Sequence, residues 1–353
     1  MIQIKLETSW QLGGATTAAV ETALFPLLHA IREQGSLAKA AKAVALSYRH
    51  TWGMLGKWER RLGQPLAHLQ RGRGASLTPF AEKLLWAEQQ ARERLAPAMD
   101  RVAADLQQEL GRAATTDEDR LLIHASHDLA LARLRDSLAR RGRLRLDLQF
   151  HGSLESLESF SRGRCDLAGF HVADAGTKLE PGFARLLKSR LHCLIGIALR
   201  EQGLMLARGN PKRIRTLEDL TRSGVRFINR QPGSGTRIAF DRLLGRKRIR
   251  HERIRGYQQE EFTHLAVAAT VAGGMADAGY GIRAAAVQYG LDFIRVERER
   301  YLLACRCDQL QDPLLQELLG ILRGRAFRAI LNALPGYDPA ITGKVFDAAL
   351  APA

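Results

Sequence analysis

No stretch of the sequence is apolar for long enough to cross a bilayer, and Met1 to Val20 lacks the compact hydrophobic segment and cleavage site of an export signal. Membrane insertion and secretion are therefore not expected, and the chain is read as cytoplasmic. Cysteine is scarce, and the four present, Cys165, Cys193, Cys305 and Cys307, show no paired metal-ligand spacing. Neither a metal site nor a disulfide framework is expected, and Cys305-Arg306-Cys307 alternates as strand residues do. Acidic side chains are in deficit, 37 against 53 Lys and Arg, which leaves a formal charge of +16 and favours polyanionic partners. Catalytic motifs are missing too: there is no nucleophile elbow, no HExxH helix, no pair of carboxylates tied to a cleft and no Gly-Lys-Ser/Thr ending for a nucleotide P-loop. No catalytic residue, metal ligand or cofactor is assigned, and an enzyme is not expected.

What is present, 353 residues of which 46% are hydrophobic, suffices for more than one core; at ~100–200 residues per domain this suggests two or three units. The most informative stretch runs from Gly35 to Phe80, GSLAKAAKAVALSYRHTWGMLGKWERRLGQPLAHLQRGRGASLTPF. Ser36 has the side-chain oxygen of an N-cap, and Leu37, Ala40, Ala41 and Val44 then recur at helical spacing. Leu46-Ser47 supplies a turn and a second cap. From Tyr48 to Leu62, Trp52, Leu55, Trp58 and Leu62 stand three or four apart, so Trp52 and Trp58 are read as core residues and Gly63 as the stop. The other face offers Ser47, Tyr48, Arg49, His50, Thr51 and Lys57 to base edges and phosphates once the helix N-terminus enters a major groove. Leu66, Leu69 and Leu77 flank QRGRGAS, a hairpin whose glycine-rich tip holds Arg71 and Arg73, as a cationic wing would. The stretch from Ser36 to Phe80 has eight Lys and Arg against one acid, Glu59. It reads as a winged helix-turn-helix whose DNA-binding set is Ser36, Lys39, Ser47, Tyr48, Arg49, His50, Thr51, Lys57, Arg71 and Arg73, with double-stranded DNA as the partner.

From Ser36 to Thr78 the sequence resembles the N-terminal DNA-binding domain shared by LysR-type and molybdate-responsive ModE-type regulators, through GSLAKAAKAVALS, RRLGQPL and SLTPFAEKLL. The run Ser47-Tyr48-Arg49-His50-Thr51-Trp52 is closer to the ModE side. The resemblance implies that Ser47, Tyr48, Arg49, His50 and Trp52 lie at the DNA-facing or supporting end of the recognition helix, and that Phe80 to about Gln108 is a linker helix that dimerises. Ala81, Leu84, Leu85, Ala91, Leu95, Met99 and Val102 agree by forming an apolar stripe.

A small, polar run from Gly111 to Asp117 marks a boundary, dividing the chain into a winged helix-turn-helix at 1–80, a linker helix at 81–117 and an effector domain at 118–353. Beyond it strands and helices alternate. Leu121–Ser126, Leu144–His151, Cys165–His171, Arg226–Gln231 and Ala276–Ile282 read as strands, and Asp128–Ala139 reads as a helix, as do the runs opening at Gly152-Ser153, after Pro232-Gly233-Ser234-Gly235-Thr236-Arg237, and near Thr263. The alternation predicts parallel sheets that bind ligands at the carboxyl ends of their strands. From about Arg120 to Leu334 the chain resembles the two-lobed type 2 periplasmic-binding-protein-like domain. ARGNPKRIRTLEDL, FINRQPGSGTR and THLAVAATVAGGMADAGYGI are similar to the version found with molybdate-responsive regulators and molybdopterin-biosynthesis proteins. That resemblance places Ser126, Ser153, His171, Ser234, Gly235, Thr236, Arg237, Thr263, His264 and Asp277 around the cleft. Asp277 has an alternative role as a loop-orienting acceptor, and His264 as a helix cap.

The expected fold is multidomain: an α-rich winged helix-turn-helix with a long linker helix, then a two-lobed α/β domain. The expected function is a one-component transcriptional regulator, a homodimer or higher homo-oligomer, sensing a small anionic effector such as molybdate or tungstate. ModE-type regulators, however, hold molybdate in a small β-barrel that this sequence does not show. Helix N-termini, hydroxyls and Arg237 suit a tetrahedral oxyanion, a carboxylate or a pterin phosphate alike. A regulator sensing a small organic acid is the alternative, followed by a molybdenum-cofactor-related enzyme. Arg208 to Arg255 holds fifteen Lys and Arg against four acids, read either as solvated surface or as an attractor of flanking DNA or anions.

Overall fold

The computed structural model describes residues 4, 6–13, 17–70, 74–112, 120–141, 144–174, 179–188 and 190–348. The chain divides into two compact units, one spanning Leu6–Leu95 and one holding the chain from Ala96 onward. Among the described residues no helix is long and apolar enough to cross a membrane.

In the first unit β1 (Gln11–Gly13) and β2 (Thr17–Ala19) form a short ribbon. Helices α1 (Leu24–Gln34), α2 (Leu37–Ala43) and α3 (Tyr48–Leu62) follow, then the hairpin β3 (Ala67–Gln70) and β4 (Gly74–Leu77), and α4 (Pro79–Arg112), which begins here. The Ser36 hydroxyl accepts from the Lys39 amide at 3.5 Å and the Ser47 hydroxyl from the His50 amide at 3.2 Å, so both helices start where the sequence places their caps. Leu24, Leu27, Leu28, Ile31, Ala40, Leu55, Trp58, Leu66, Ala81 and Leu85 form one core. The small residues of α2 let α1 pack closely. Gly74 is fixed by contact as well as conformation: its φ is +100°, and a Cβ there would stand 2.3 Å from the Gly35 carbonyl oxygen. The hairpin is thereby pinned to the α1–α2 turn.

The second unit opens with β5 (Arg120–Ala125), α5 (Leu129–Arg141), β6 (Arg145–Phe150), α6 (Ser153–Ser161), β7 (Leu167–Ala173) and α7 (Pro181–Ala184). Next come β8 (His192–Leu206), β9 (Phe227–Arg230), α8 (Gly235–Arg246), β10 (Glu260–Glu261), α9 (His264–Ala272), β11 (Ala278–Ile282), α10 (Arg283–Gln288) and β12 (Asp292–Arg306). The unit closes with α11 (Pro313–Arg323), α12 (Arg325–Asn332), β13 (Tyr337–Asp338) and β14 (Val345–Asp347). Sheet order is β10-β9-β11-β8-β12-β7-β5-β6, with β13 and β14 added to β8.

The expectation of parallel sheets is corrected in part. Strands β6, β5 and β7 are parallel, as are β10, β9 and β11, but β8 and β12 run antiparallel to each other and to β11 and β7. These two strands, 15 residues each, serve both lobes. Residues 192–202 of β8 face 297–306 of β12 in the lobe of β5–β7, and residues 203–206 face 292–295 in the lobe of β9–β11, with a register shift between Arg295 and Glu297 at the crossing.

The expectation of no disulfide is also corrected. The β8–β12 ladder sets Cys305 opposite Cys193, so Cys307 falls just past the paired row and bonds to Cys193 with their Cα atoms 5.1 Å apart. The partners are 114 residues apart in sequence, and only strand register brings them together. Cys165 and Cys305 are buried free thiols.

Candidate functional site

On α3 the inward stripe is Thr51, Met54, Leu55 and Trp58. Thr51 therefore does not face DNA: it is fully buried, and its hydroxyl donates to the Tyr48 carbonyl at 2.8 Å. Trp52, one residue further round the helix, is 55% exposed rather than in the core, beside Tyr48 at 54%. Arg49 and His50 are exposed on the same first turn. Lys57 is exposed but ion-paired with Glu21, whose other oxygen accepts from the Trp58 indole. Ser36 and Ser47 act as caps, Lys39 is exposed beside them, and Arg71 and Arg73 lie outside the described residues.

In the second unit the carboxyl ends of β6, β9 and β10 open on a cavity of about 430 Å³, lined by His127, Phe150, His151, Gly152 and Glu155 on one lobe and by Gln231, Pro232, Gly233, Phe262 and Thr263 on the other. The two loops press together at its floor, where a Cβ on Gly152 would stand 3.0 Å from the Gly233 carbonyl oxygen. Three helices start here: α6 after Gly152, α8 after Ser234 and α9 after Thr263. Their free N–H groups and dipoles give the site a positive character.

Beneath the loops lies a buried polar cluster. Arg200 of β8 donates to Asp128 at 2.7 Å, pairs with Glu299 of β12, and stacks 4.5 Å over the Tyr301 ring. Asp128 also accepts from the Tyr337 hydroxyl at 2.8 Å and caps α5 at the Leu131 amide. Burial works against the Arg200 charge, but Glu299 foremost, with Tyr337 and Asp128, raises it above the ordinary arginine range. Arg230, at the end of β9, is also buried, yet its guanidinium donates to neutral acceptors: the Gln231 side-chain oxygen at 3.1 Å and the Phe262 carbonyl at 2.9 Å. Burial, then repulsion from Arg200, pulls it down to about 9. His127, His171 and His264 surround this pair. Burial first and the two arginines next hold all three below the ordinary histidine range, His127 at about 4.

The residues expected around the cleft divide into three groups. Thr263 lines the cavity, while Ser153 and His264 are fully buried and the Ser153 hydroxyl and both His264 ring nitrogens have no hydrogen-bond partner among the described residues. Ser126, His171, Ser234, Gly235 and Thr236 are present but occupied by one another. His171 contacts Ser126 and Thr236, each at 3.3 Å, and the Ser234 hydroxyl caps Arg237. A Cβ on Gly235 would stand 2.5 Å from the His171 ring. Arg237 and Asp277 do not belong to the cleft. Arg237 is turned onto Asp241 at 3.1 Å and the Tyr257 ring at 4.1 Å. Asp277 precedes β11, at the end away from the cleft, and accepts from the Arg226 amide at 2.8 Å, which is the loop-orienting role. His264 is not a cap, since Thr263 holds that position. Arg200, Arg230 and Glu299 were not singled out by the sequence. The one available signal was a charged residue inside otherwise apolar strands such as Phe227–Arg230.

Residues 23–82 match the model of the bacterial regulatory helix-turn-helix protein, lysR family, and residues 135–323 that of the PBP superfamily domain. The chain is 37% identical over 199 residues to the uncharacterized protein YvgK of Bacillus subtilis (strain 168), covering 56% of this chain and 64% of that one. It thus spans under two thirds of that relative. Over 105 residues it is 40% identical to an uncharacterized protein from the ferredoxin 2Fe-2S gene 5' region of Clostridium pasteurianum, covering 30% of this chain and 90% of that one. A solved structure of an OxyR mutant from Corynebacterium glutamicum is 16% identical with a TM-score of 0.44, covering 89% of this chain and 94% of that one.

Proposed function

Because the chain belongs to the PBP superfamily through residues 135–323 and carries a lysR-family helix-turn-helix at residues 23–82, we propose that it is a one-component transcriptional regulator whose cleft senses a small anion. The observation that supports the anion most is Arg230. A buried guanidinium with no carboxylate in ion-pair distance among the described residues, set where three helices begin, is left for a ligand to neutralise. The unpartnered Ser153 hydroxyl and His264 ring add hydrogen-bonding capacity to the same place, and an unmet buried polar group costs about 1–3 kcal/mol.

Molybdate and tungstate are the first members of this class to test, given the likeness to molybdate-associated domains. A small organic acid is the second reading, favoured by the size of the cavity, which falls in the roughly 300–1,000 Å³ range of organic ligand sites. Ligand binding acts on transcription only if it favours one arrangement of the lobes over another. Dimerisation through α4 is part of the proposal: Leu95, Val102 and Leu106 stand 46%, 49% and 43% exposed along it.

A thermal-shift panel of molybdate, tungstate, sulfate, formate, dicarboxylates and pterins tests the ligand. At 100 times Kd a ligand of the folded state adds about 2.7 kcal/mol, which for a unit of this size raises Tm by roughly 5–10 °C. Selective stabilisation by an oxyanion supports the first reading and stabilisation by organic acids alone the second; no shift from any of them counts against the anion site. Replacing Arg49 with Ala is expected to weaken binding of duplex DNA at least tenfold with the panel response intact. Equal loss of both responses would instead indicate misfolding.

A further inference from the structure

We propose that the far end of the second lobe, away from the cleft, is an additional DNA-contacting surface that grips the phosphate backbone of the duplex. Strand β9 runs toward the cleft and α8 runs away from it. The segment before β9 and the segment after α8 therefore meet at the same distal end. Lys247 at the end of α8 reaches Glu218 at 3.3 Å, which joins the two segments, and Arg222 donates to the Lys212 carbonyl at 2.7 Å within the first of them.

This end is rich in exposed basic side chains with little to neutralise them. Arg208, Lys212, Arg213, Arg215, Arg246, Arg248, Arg253 and Arg255 are exposed, and no ion pair is formed by them among the described residues. Arg222, Arg226, Lys247 and Arg250 of the same end are paired, with Asp219, Asp277, Glu218 and Glu252, which leaves the other eight as its unpaired cations among the described residues. Backbone conformation gives a second sign. Arg213 and Arg248 hold left-handed φ values of 50° and 55° at tight turns, where glycine or asparagine would sit with less strain. Arginine stands at both despite that cost, and both carry their charge on this exposed end.

Guanidinium groups spread over two loops suit a regularly charged, extended polyanion. A duplex carries phosphates at close spacing on both strands, and a basic surface neutralises several of them at once. The same chain already places a helix-turn-helix on DNA, so the second contact is intramolecular and is favoured by effective concentration. The inference rests on that DNA-binding reading.

The test uses the full chain and a mixed-sequence 60-bp duplex, with Kd measured by fluorescence anisotropy from 50 to 300 mM salt. Replacing Arg213, Arg246, Arg248 and Arg255 together with Gln is expected to lower the slope of log K against log [salt] by about 3.6, since each lost phosphate contact removes about 0.9. A matched variant of Arg162, Arg164, Arg325 and Arg328, which are exposed on the other lobe, is expected to change it by less than 1. Unaltered slope in the first variant, or equal change in both, overturns the proposal. The Arg49→Ala chain separates the two readings: if Arg49→Ala weakens binding and the distal variant does not, only the distal surface fails; if Arg49→Ala has no effect, the helix-turn-helix reading fails with it.

Discussion

Replacing Arg200 with Met is expected to destabilise the second unit by about 3–5 kcal/mol, the cost of breaking a buried ion pair from one side. Arg200 stands directly opposite both Glu299 and Tyr337 in the sheet, and its side chain is fully buried. With methionine in its place, Asp128 and Glu299 lose their shared counter-charge while still shut off from water. The deficit should depend on pH. Burial pushes the Glu299 carboxyl up to about 7 even against the pull of Arg200, and without Arg200 it rises further. A carboxyl whose folded value is raised contributes no penalty below the unfolded value, where both states are protonated, and a growing one as pH climbs through the folded value. Urea unfolding at pH 5.5 and pH 8 should show the larger loss at pH 8. Adding Glu299→Gln should recover part of it, because one stranded charge is gone. A loss below 1 kcal/mol, equal at both pH values, would mean that this cluster does not hold the lobes together.

Replacing Arg230 with Met has the opposite balance: a loss of anion affinity of at least about 100-fold, as expected for removing a buried charged partner, with little loss of stability. Arg230 is buried beside another arginine and answered by neutral acceptors, so its removal relieves as much as it costs. Acid sensitivity gives an independent readout. His127, His171 and His264 are each held below the ordinary histidine range, in part by Arg230. A histidine with a lowered folded value contributes stability that is present above about 6.5 and is lost as pH falls toward its folded value, about 4 for His127. Removing Arg230 lessens that loss. Isothermal titration with the anion selected by the thermal panel, together with acid unfolding curves, checks both effects. Unchanged affinity would exclude Arg230 from the site.

Local signals were legible in the sequence where one element decides its own form. The serine caps located the starts of α2 and α3, and Gly63 the end of α3, and short apolar runs between turn residues located β5, β6, β7, β9 and β11. Thr51 and Trp52 went wrong because a one-residue rotation, about 100° on a helix, separates the buried stripe from the exposed one, and both residue types suit either. The two long strands were not read. At 15 residues each they exceed the usual strand length of about 5–6, and Arg200 and Glu299 interrupt their apolar character. In the fold these same residues answer each other across the ladder, so what looks like a break in each run is a match between two. The site was half legible for a related reason. Hydroxyls at helix starts announce themselves in sequence, but whether a hydroxyl is free, as for Ser153, or already engaged, as for Ser234 and Thr236, depends on neighbours from distant segments.

The sharing of β8 and β12 between lobes bears on how the chain is made. Every pairing in the first unit joins neighbouring elements, so that unit can fold soon after it leaves the ribosome. In the second unit β7 is joined to β8 only through β12, and β8 also waits for β13 and β14, which end at Asp347. Neither lobe can finish its sheet until β12 has been synthesised, and β8 is not fully paired until β14 follows. For the interval between, a growing chain carries a folded first unit ahead of a second unit whose sheet is incomplete. On the proposed function, any contact with DNA made in that interval would be free of effector control.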